Sequence, residues 1–119
     1  MKKLTEREEE VMQVLWELET AFIKEIIPEL PQKHHYNTVS TVVRHLESKG
    51  FVAHETFGNT HRYFPKISKE EYSSFYMKSA SQRFFNNSYK NMLTFFAKDE
   101  KISPEELEEI LEVIENQKD

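Results

Sequence analysis

A run of short hydrogen-bonding side chains recurs at helical spacing between residues 37 and 48. The face they would share carries one arginine and no carboxylate: Asn37, Ser40, Thr41, Arg44 and Ser48. An ordinary solvated helix face mixes Glu with Lys, because such residues pair at i,i+4. Amide, hydroxyl and guanidinium groups are instead the side chains that hydrogen-bond base edges and phosphates. The pattern therefore favours contact with duplex DNA.

Each of these side chains also has a plainer interpretation. Arg44 could pair with Glu47 or Ser48 on its own helix, and Asn37 could cap the start of that helix. Further along, Asn59 and Arg62 could reach backbone phosphates, although Asn59 also fits simple turn chemistry.

Three predicted helices and a hairpin must position these residues. Thr5 and Glu8 have capping-box spacing, which predicts a first helix over 6–18. A short apolar stripe containing Pro28 predicts a second helix that the proline must shorten or kink. The third helix is predicted from Tyr36 to Lys49, with Gly50 as its C-terminal cap. Its core face is expected to comprise Val39, Val42, Val43 and Leu46.

Two strands are predicted after the third helix, at 52–57 and 61–65, joined by a turn at 58–60. The order helix, helix, helix, hairpin within about 66 residues is that of a winged helix-turn-helix. In that fold the third helix enters the major groove and the hairpin forms a wing. The fold class is therefore predicted to be mainly α: a winged helix-turn-helix followed by a helical tail.

The tail is unusually aromatic, since eight of the fifteen aromatic residues lie between Tyr72 and Phe96. That stretch predicts one long helix or two short ones, and Ser103, Pro104 and Glu106 predict the start of a final helix. So short a tail cannot bury this many aromatics against itself. Either it packs back on the winged helix, or it pairs with a second copy. The predicted dimerisation residues are Phe84, Phe85, Leu107, Ile110, Leu111 and Ile114.

Charge is distributed unevenly along this acidic chain, whose formal net charge is −5. Residues 33–66 carry five basic and two acidic side chains, together with all five histidines, whereas both flanking segments are acidic. This is the distribution expected of a localised phosphate-binding surface. Random scatter of charge would look similar.

Other function classes find little support in the composition. The absence of cysteine excludes a thiol nucleophile or a thiolate metal site, and no phosphate loop or catalytic triad signature is present. We therefore expect neither enzymatic activity nor a cofactor, and the spacing of the histidines does not predict a metal site. No apolar run is long enough to span a membrane, so we expect a cytoplasmic protein with no membrane insertion.

Four segments resemble the BlaI/MecI/CopY family of repressors. They are Leu4–Trp16, which contains a match to the family's Glu-x-Val-Met-x-x-Leu-Trp signature, Asn37–Val52, similar to its recognition segment, Gly58 with His61–Pro65, similar to its wing, and Ser68–Tyr72, similar to the start of its dimerisation tail. The resemblance implies a homodimer on a palindromic operator, released when a membrane-bound metalloprotease sensor triggers proteolysis of the tail. Alignment on the final helix places the cleaved bond between Phe95 and Phe96. Phe95 stands where the known repressors have Asn.

The chain departs from the family pattern at several positions that are usually basic or proline. Tyr36 replaces a proline, Ser40 and Asn59 replace basic residues, and His45 takes the place of an arginine that is shifted here to Arg44. The family's copper-responsive branch carries a cysteine motif that is absent here. These departures imply an operator that differs from those of the known repressors, or a weaker affinity for DNA.

These observations divide the chain into a DNA-binding domain at 1–67 and a helical dimerisation domain at 68–119. The DNA-binding residues are predicted to be Asn37, Thr38, Ser40, Thr41, Arg44, His45, Asn59 and Arg62. Two function classes remain open. One is a DNA-binding repressor, and the other is a winged helix that binds proteins and has lost its affinity for DNA.

Overall fold

The computed structural model describes residues 1–99 and 101–117. Within them the helices are α1 (Glu6–Leu18), α2 (Ile23–Ile26), α3 (Tyr36–Ser48), α4 (Lys69–Phe84), α5 (Tyr89–Lys98) and α6 (Pro104–Asn116), with a 3₁₀ turn at Ile27–Glu29. The strands are β1 (Ala21–Phe22), β2 (Val52–Phe57) and β3 (Thr60–Pro65). The predicted fold class, a mainly helical winged helix-turn-helix, is confirmed.

Helix α1 begins at the predicted capping box. The Thr5 hydroxyl accepts from the Glu8 backbone N–H at 3.2 Å, and the Glu8 carboxylate accepts from the Thr5 N–H at 2.9 Å. The helix ends at Leu18, and its C-cap Glu19 has a φ of 71° and a ψ of −48°, a sparsely populated region for a residue with a side chain. The Thr20 N–H donates to the Leu18 carbonyl at 2.8 Å and closes a three-residue γ-turn there.

The second helix is much shorter than its apolar stripe. It covers only Ile23–Ile26, and Pro28 lies in the following 3₁₀ turn. Proline lacks the N–H that would continue the α-helical ladder, so the chain tightens and then leaves the helix.

The sheet has three antiparallel strands rather than the predicted two, in the order β1-β3-β2. The additional strand is β1, in which Ala21 pairs with Tyr63 and Phe22 with Arg62. The β2–β3 turn is one residue shorter than predicted, since Phe57 pairs with Thr60 around Gly58 and Asn59. Gly58 has a φ of 60°, whereas the φ of Asn59 is not positive. This is the pattern of a type II′ hairpin turn.

The core of the winged helix lies between α1, α2, α3 and the sheet. Its fully buried members are Val11, Met12, Leu15, Ile26, Val39, Val43, Leu46, Phe51 and Val52. The predicted apolar face of α3 is confirmed for Val39, Val43 and Leu46, while Val42 is only partly buried. Each fully buried side chain of this size contributes about 1.5–3 kcal/mol.

The chain forms two compact units, Met1–Tyr76 and Met77–Asp119. The first unit includes the start of α4, where the buried Tyr72 joins the core. Its phenol oxygen accepts from the Leu4 N–H at 2.9 Å, and Trp16 Nε1 donates to the Ile67 carbonyl at 2.9 Å. Part of the aromatic tail therefore packs on the winged helix. The functional division at residues 67 and 68 stays a prediction.

The second unit contains the end of α4 together with α5 and α6. The aromatic stretch from Tyr72 to Phe96 is divided between two helices, α4 and α5. Ser88 caps α5 by accepting from the Asn91 N–H, and Ser103 and Glu106 form the predicted capping box of α6. Several large apolar side chains of this unit are exposed in the single chain: Phe84, Tyr89, Phe95, Phe96, Leu111, Val113 and Ile114. Glu100 lies outside the described residues.

None of the helices in the described residues is both long and apolar enough to cross a membrane.

Candidate nucleic-acid interface

Helix α3 presents its polar side chains outward because its opposite face is fixed in the core. Asn37, Thr41, Arg44 and His45 are exposed, whereas Thr38 and Ser40 are half-buried at the edges of this surface. The helix begins at Tyr36, so its N-cap is His35. The alternative role of Asn37 as the N-cap is therefore wrong, and its amide lies within the first helical turn.

A chain of hydrogen bonds runs along the exposed face of α3. Arg44 Nη2 donates to the Thr41 hydroxyl at 3.3 Å, and that hydroxyl donates to the Asn37 carbonyl at 2.9 Å. Arg44 is thus directed along the helix towards its N-terminal half rather than towards Glu47 or Ser48. A bond between exposed groups contributes only about 0.5–1.5 kcal/mol, so Arg44 can exchange it for a base edge or a phosphate at little cost.

The single carboxylate of α3 is turned away from this face. Glu47 Oε2 lies 2.6 Å from His54 Nδ1 on β2, and both side chains are about one-third exposed. The pair ties the end of α3 to the base of the hairpin. It also removes a negative charge from the surface that a phosphate would approach.

The hairpin carries Asn59 at its exposed turn and Arg62 on β3. Arg62 lies over the Phe57 ring, 4.6 Å from its centroid, and its Nη2 is 3.6 Å from Glu55 Oε2. Such an exposed ion pair contributes roughly 0–1 kcal/mol. The aromatic contact therefore matters more for holding the guanidinium beside the turn.

The histidines divide between the two elements. His54 and His61 stack with ring centroids 4.1 Å apart beside Tyr63, while His45 lies on α3 and His34 and His35 precede it. In the part of the chain that the structure describes, no group of three His, Asp or Glu side chains has a geometry that could hold a metal ion. Burial, together with the nearby charge of Glu47, raises the pKa of the Tyr63 phenol, so this side chain stays neutral.

A partly buried ion pair fixes the end of α3 against the start of α1. Lys49 Nζ lies 2.7 Å from Glu8 Oε1, and the Glu8 side chain is only 5% exposed. Burial by itself raises the pKa of Glu8. The hydrogen bonds from Lys49 and the Thr5 backbone and the Lys49 charge outweigh it, so the pKa is lowered overall. Sequence reasoning found Glu8 only as a capping residue.

The model of the penicillinase repressor family matches residues 4–116 of this chain. The chain belongs to the penicillinase repressor family. Members of this family are transcriptional regulators rather than enzymes, and the resemblance predicted from the signature segments is confirmed.

One relative of this family matches nearly the whole chain, and a second matches only part of it. The penicillinase repressor of Bacillus licheniformis is 29% identical over 99% of this chain and 96% of its own length. The solution structure of the DNA-binding domain of the repressor BlaI matches 60% of this chain and 94% of its own, with 31% identity and a TM-score of 0.53.

Proposed function

We propose that this member of the penicillinase repressor family represses transcription by binding double-stranded DNA through α3 and the β2–β3 wing. The observation that carries the proposal is the outward face of α3. It presents amide, hydroxyl and guanidinium groups, while its one carboxylate is held at the wing by His54. The likeness to a DNA-binding repressor domain supports the same surface.

Arg44 is the side chain best suited to direct base contact. A guanidinium can donate two parallel hydrogen bonds to the O6 and N7 atoms of guanine. Asn37 and Thr41 lie one helical turn apart beside it, and Thr38, Ser40 and His45 flank this line. Asn59 and Arg62 of the wing reach a neighbouring stretch of backbone. This arrangement of donors suits the base edges and phosphates of duplex DNA.

The protein acts as a homodimer on a palindromic operator. The exposed apolar side chains of α5 and α6 support this part of the proposal, because a monomer rarely leaves so many large apolar groups in water. Leu111 is 56% exposed and Ile114 is 47% exposed in the single chain. Phe84, Phe85, Leu107 and Ile110 complete the proposed contact, and a twofold pair suits two half-sites.

Release of the operator follows cleavage between Phe95 and Phe96, triggered by a membrane-bound metalloprotease sensor. Both rings are exposed, which supports access by an enzyme. Their peptide bond lies within α5, however, so that helix must open before a protease can bind the backbone in extended form. We place the repressor itself in the cytoplasm, where its operator is.

Fluorescence anisotropy tests the proposed DNA binding. The probe is a labelled duplex of about 30 base pairs from upstream of the gene, long enough for two half-sites, titrated in a salt series. Wild-type binding should weaken steeply with salt. Arg44→Ala should cost about 1–3 kcal/mol and relax discrimination against a scrambled duplex.

Lys24→Ala provides the matched control, because Lys24 is an exposed basic residue on α2 outside the proposed surface. Its affinity should stay within about twofold of wild type. Absence of duplex binding at low salt, combined with stable capture of a protein partner, would instead establish the protein-binding alternative.

A further inference from the structure

A cleft of about 470 Å³ lies at the C-terminal end of α3. It is lined by Met1, Lys2, His45, Ser48 and Lys49. Of its lining residues, only His45 belongs to the proposed DNA-binding residues. Among the residues that the structure describes, none lining this cleft is a carboxylate. Two other surface clefts of the first unit contain glutamates: Glu19, Glu55, Glu70 and Glu71 in one, and Glu6 and Glu10 in the other. In a chain of net charge −5, this cleft offers two lysines, a histidine and a serine hydroxyl without a carboxylate among its lining residues.

The cleft continues the exposed face of α3. Thr41, Arg44 and Ser48 succeed one another at steps of three and four residues and so lie along one side of the helix. Ser48 lines the cleft at the end of that row, and His45 lies beside it. A duplex bound along this side of α3 would therefore pass over the cleft.

Two contacts fix the N-terminal segment, one to α4 and one to the end of α3. Leu4 is buried and its N–H donates to the Tyr72 phenol oxygen at 2.9 Å. One turn later, Glu8 binds Lys49 at 2.7 Å and thereby brings the start of α1 to the end of α3. Lys2 lies two residues before Leu4 and lines the cleft together with His45 and Ser48.

The charges in the cleft differ in their availability. Lys49 is compensated by Glu8, whereas the described residues provide Lys2 with no salt bridge. Lys2 is exposed, and the hydroxyl of Ser48 and the ring of His45 add hydrogen-bonding groups on the other side. A single phosphodiester, with one negative charge and two acceptor oxygens, matches this set of groups.

We infer that the cleft formed by Lys2, His45 and Ser48 binds a backbone phosphate of the duplex on which α3 lies. This inference rests on the proposed DNA binding and adds Lys2 and Ser48 to the interface. The contact fixes the register of α3 in the groove and carries no sequence information. It also supplies positive charge beside His45, which stands where the family has an arginine.

The test compares Lys2→Gln with Lys3→Gln in the full-length chain. Lys3 is the matched control, since it carries the same charge one residue away but its Nζ lies over the Tyr76 ring, 5.4 Å from the centroid. Binding to the upstream duplex and to a scrambled duplex is measured by anisotropy in a salt series. Lys2→Gln should weaken both by a similar factor, roughly three- to tenfold at low salt, and should reduce the salt slope by about one. Lys3→Gln should leave the slope unchanged.

Three outcomes separate this inference from the proposed function. Wild-type binding with equal slopes for wild type and Lys2→Gln overturns the phosphate contact alone, whereas no salt-dependent wild-type binding overturns the proposed function. A titration with inorganic phosphate, followed by NMR of the His45 ring, provides the third outcome. Saturable shifts without DNA and no slope change for Lys2→Gln would make the cleft a site for a free anion and overturn its assignment to the duplex.

Discussion

At the scale of single residues, the buried carboxylate of Glu8 both caps helix α1 and holds the end of α3. It accepts from the Thr5 N–H and from Lys49 Nζ while only 5% of its side chain is exposed. Desolvation of an ion pair usually offsets much of its Coulombic gain, but removing one partner leaves the other uncompensated. Substitutions at this position therefore affect stability more than an ordinary first-turn glutamate would.

We expect Glu8→Gln to lower the free energy of unfolding by about 1–3 kcal/mol at neutral pH. The pKa of Glu8 is lowered in the folded state, so its stabilisation is present above the ordinary value of 4.5 and is lost as the pH falls through the lowered value. Urea unfolding of both proteins between neutral and acidic pH measures this. The difference between them should shrink on acidification.

The matched control for Glu8 is Glu6→Gln, which removes a carboxylate from the same helical turn at an exposed position. Its effect should stay within about 0.5 kcal/mol. Equal effects of the two substitutions at all pH values would show that the helix dipole, rather than the Lys49 pair, accounts for the stabilisation.

At Glu19 we expect a substitution that stabilises the protein. Its φ of 71° is readily adopted by glycine but strained for a residue with a Cβ, at a cost of roughly 1–2 kcal/mol. Glycine loses about 0.5–1 kcal/mol more through the entropy of the unfolded chain. Glu19→Gly should therefore raise the free energy of unfolding slightly, by up to about 1 kcal/mol in urea unfolding. Destabilisation relative to an exposed control such as Glu17→Gly would contradict the γ-turn geometry.

At the scale of elements, the cap of α5 controls access to the peptide bond between Phe95 and Phe96. Loss of the Ser88 cap in Ser88→Ala should destabilise this helix by about 1 kcal/mol. Because proteolysis tracks the population of the open form, limited chymotrypsin digestion should cut after Phe95 about fivefold faster. Ser103→Ala, which removes the equivalent cap from α6, should leave that rate nearly unchanged; acceleration by both would show that the tail opens as one unit.

The elements differ in how well the sequence predicted them, for identifiable physical reasons. Helices α1 and α6 were found because capping boxes and apolar periodicity agree at their ends. Strand β1 was missed because its two residues are too short to show a period, and its pairing with β3 is purely tertiary. The exposed face of α3 was predicted. The direction of the Glu47 side chain was not, because it depends on a contact with His54 on the neighbouring strand β2.

At the scale of the whole molecule, the exposed apolar surface of α6 predicts association. Leu111→Glu would place a charge into the proposed twofold contact, so the dissociation constant of the dimer should rise at least about tenfold. Sedimentation equilibrium measures the change. Glu112→Gln, the next residue and exposed, should leave the constant unaltered. An unchanged dimer in Leu111→Glu would exclude this face of α6 from the interface.

The seating of Tyr72 gives the molecule an internal optical reporter. Trp16 is the only tryptophan in the chain, its ring centroid lies 6.3 Å from that of Tyr72, and its indole N–H donates to the Ile67 carbonyl. Its emission therefore depends on whether the first turns of α4 remain packed on the winged helix. A fragment ending at residue 67 should fluoresce at longer wavelength than one ending at residue 76. The same signal can follow, without any added label, whether operator binding or cleavage of the tail disturbs this attachment.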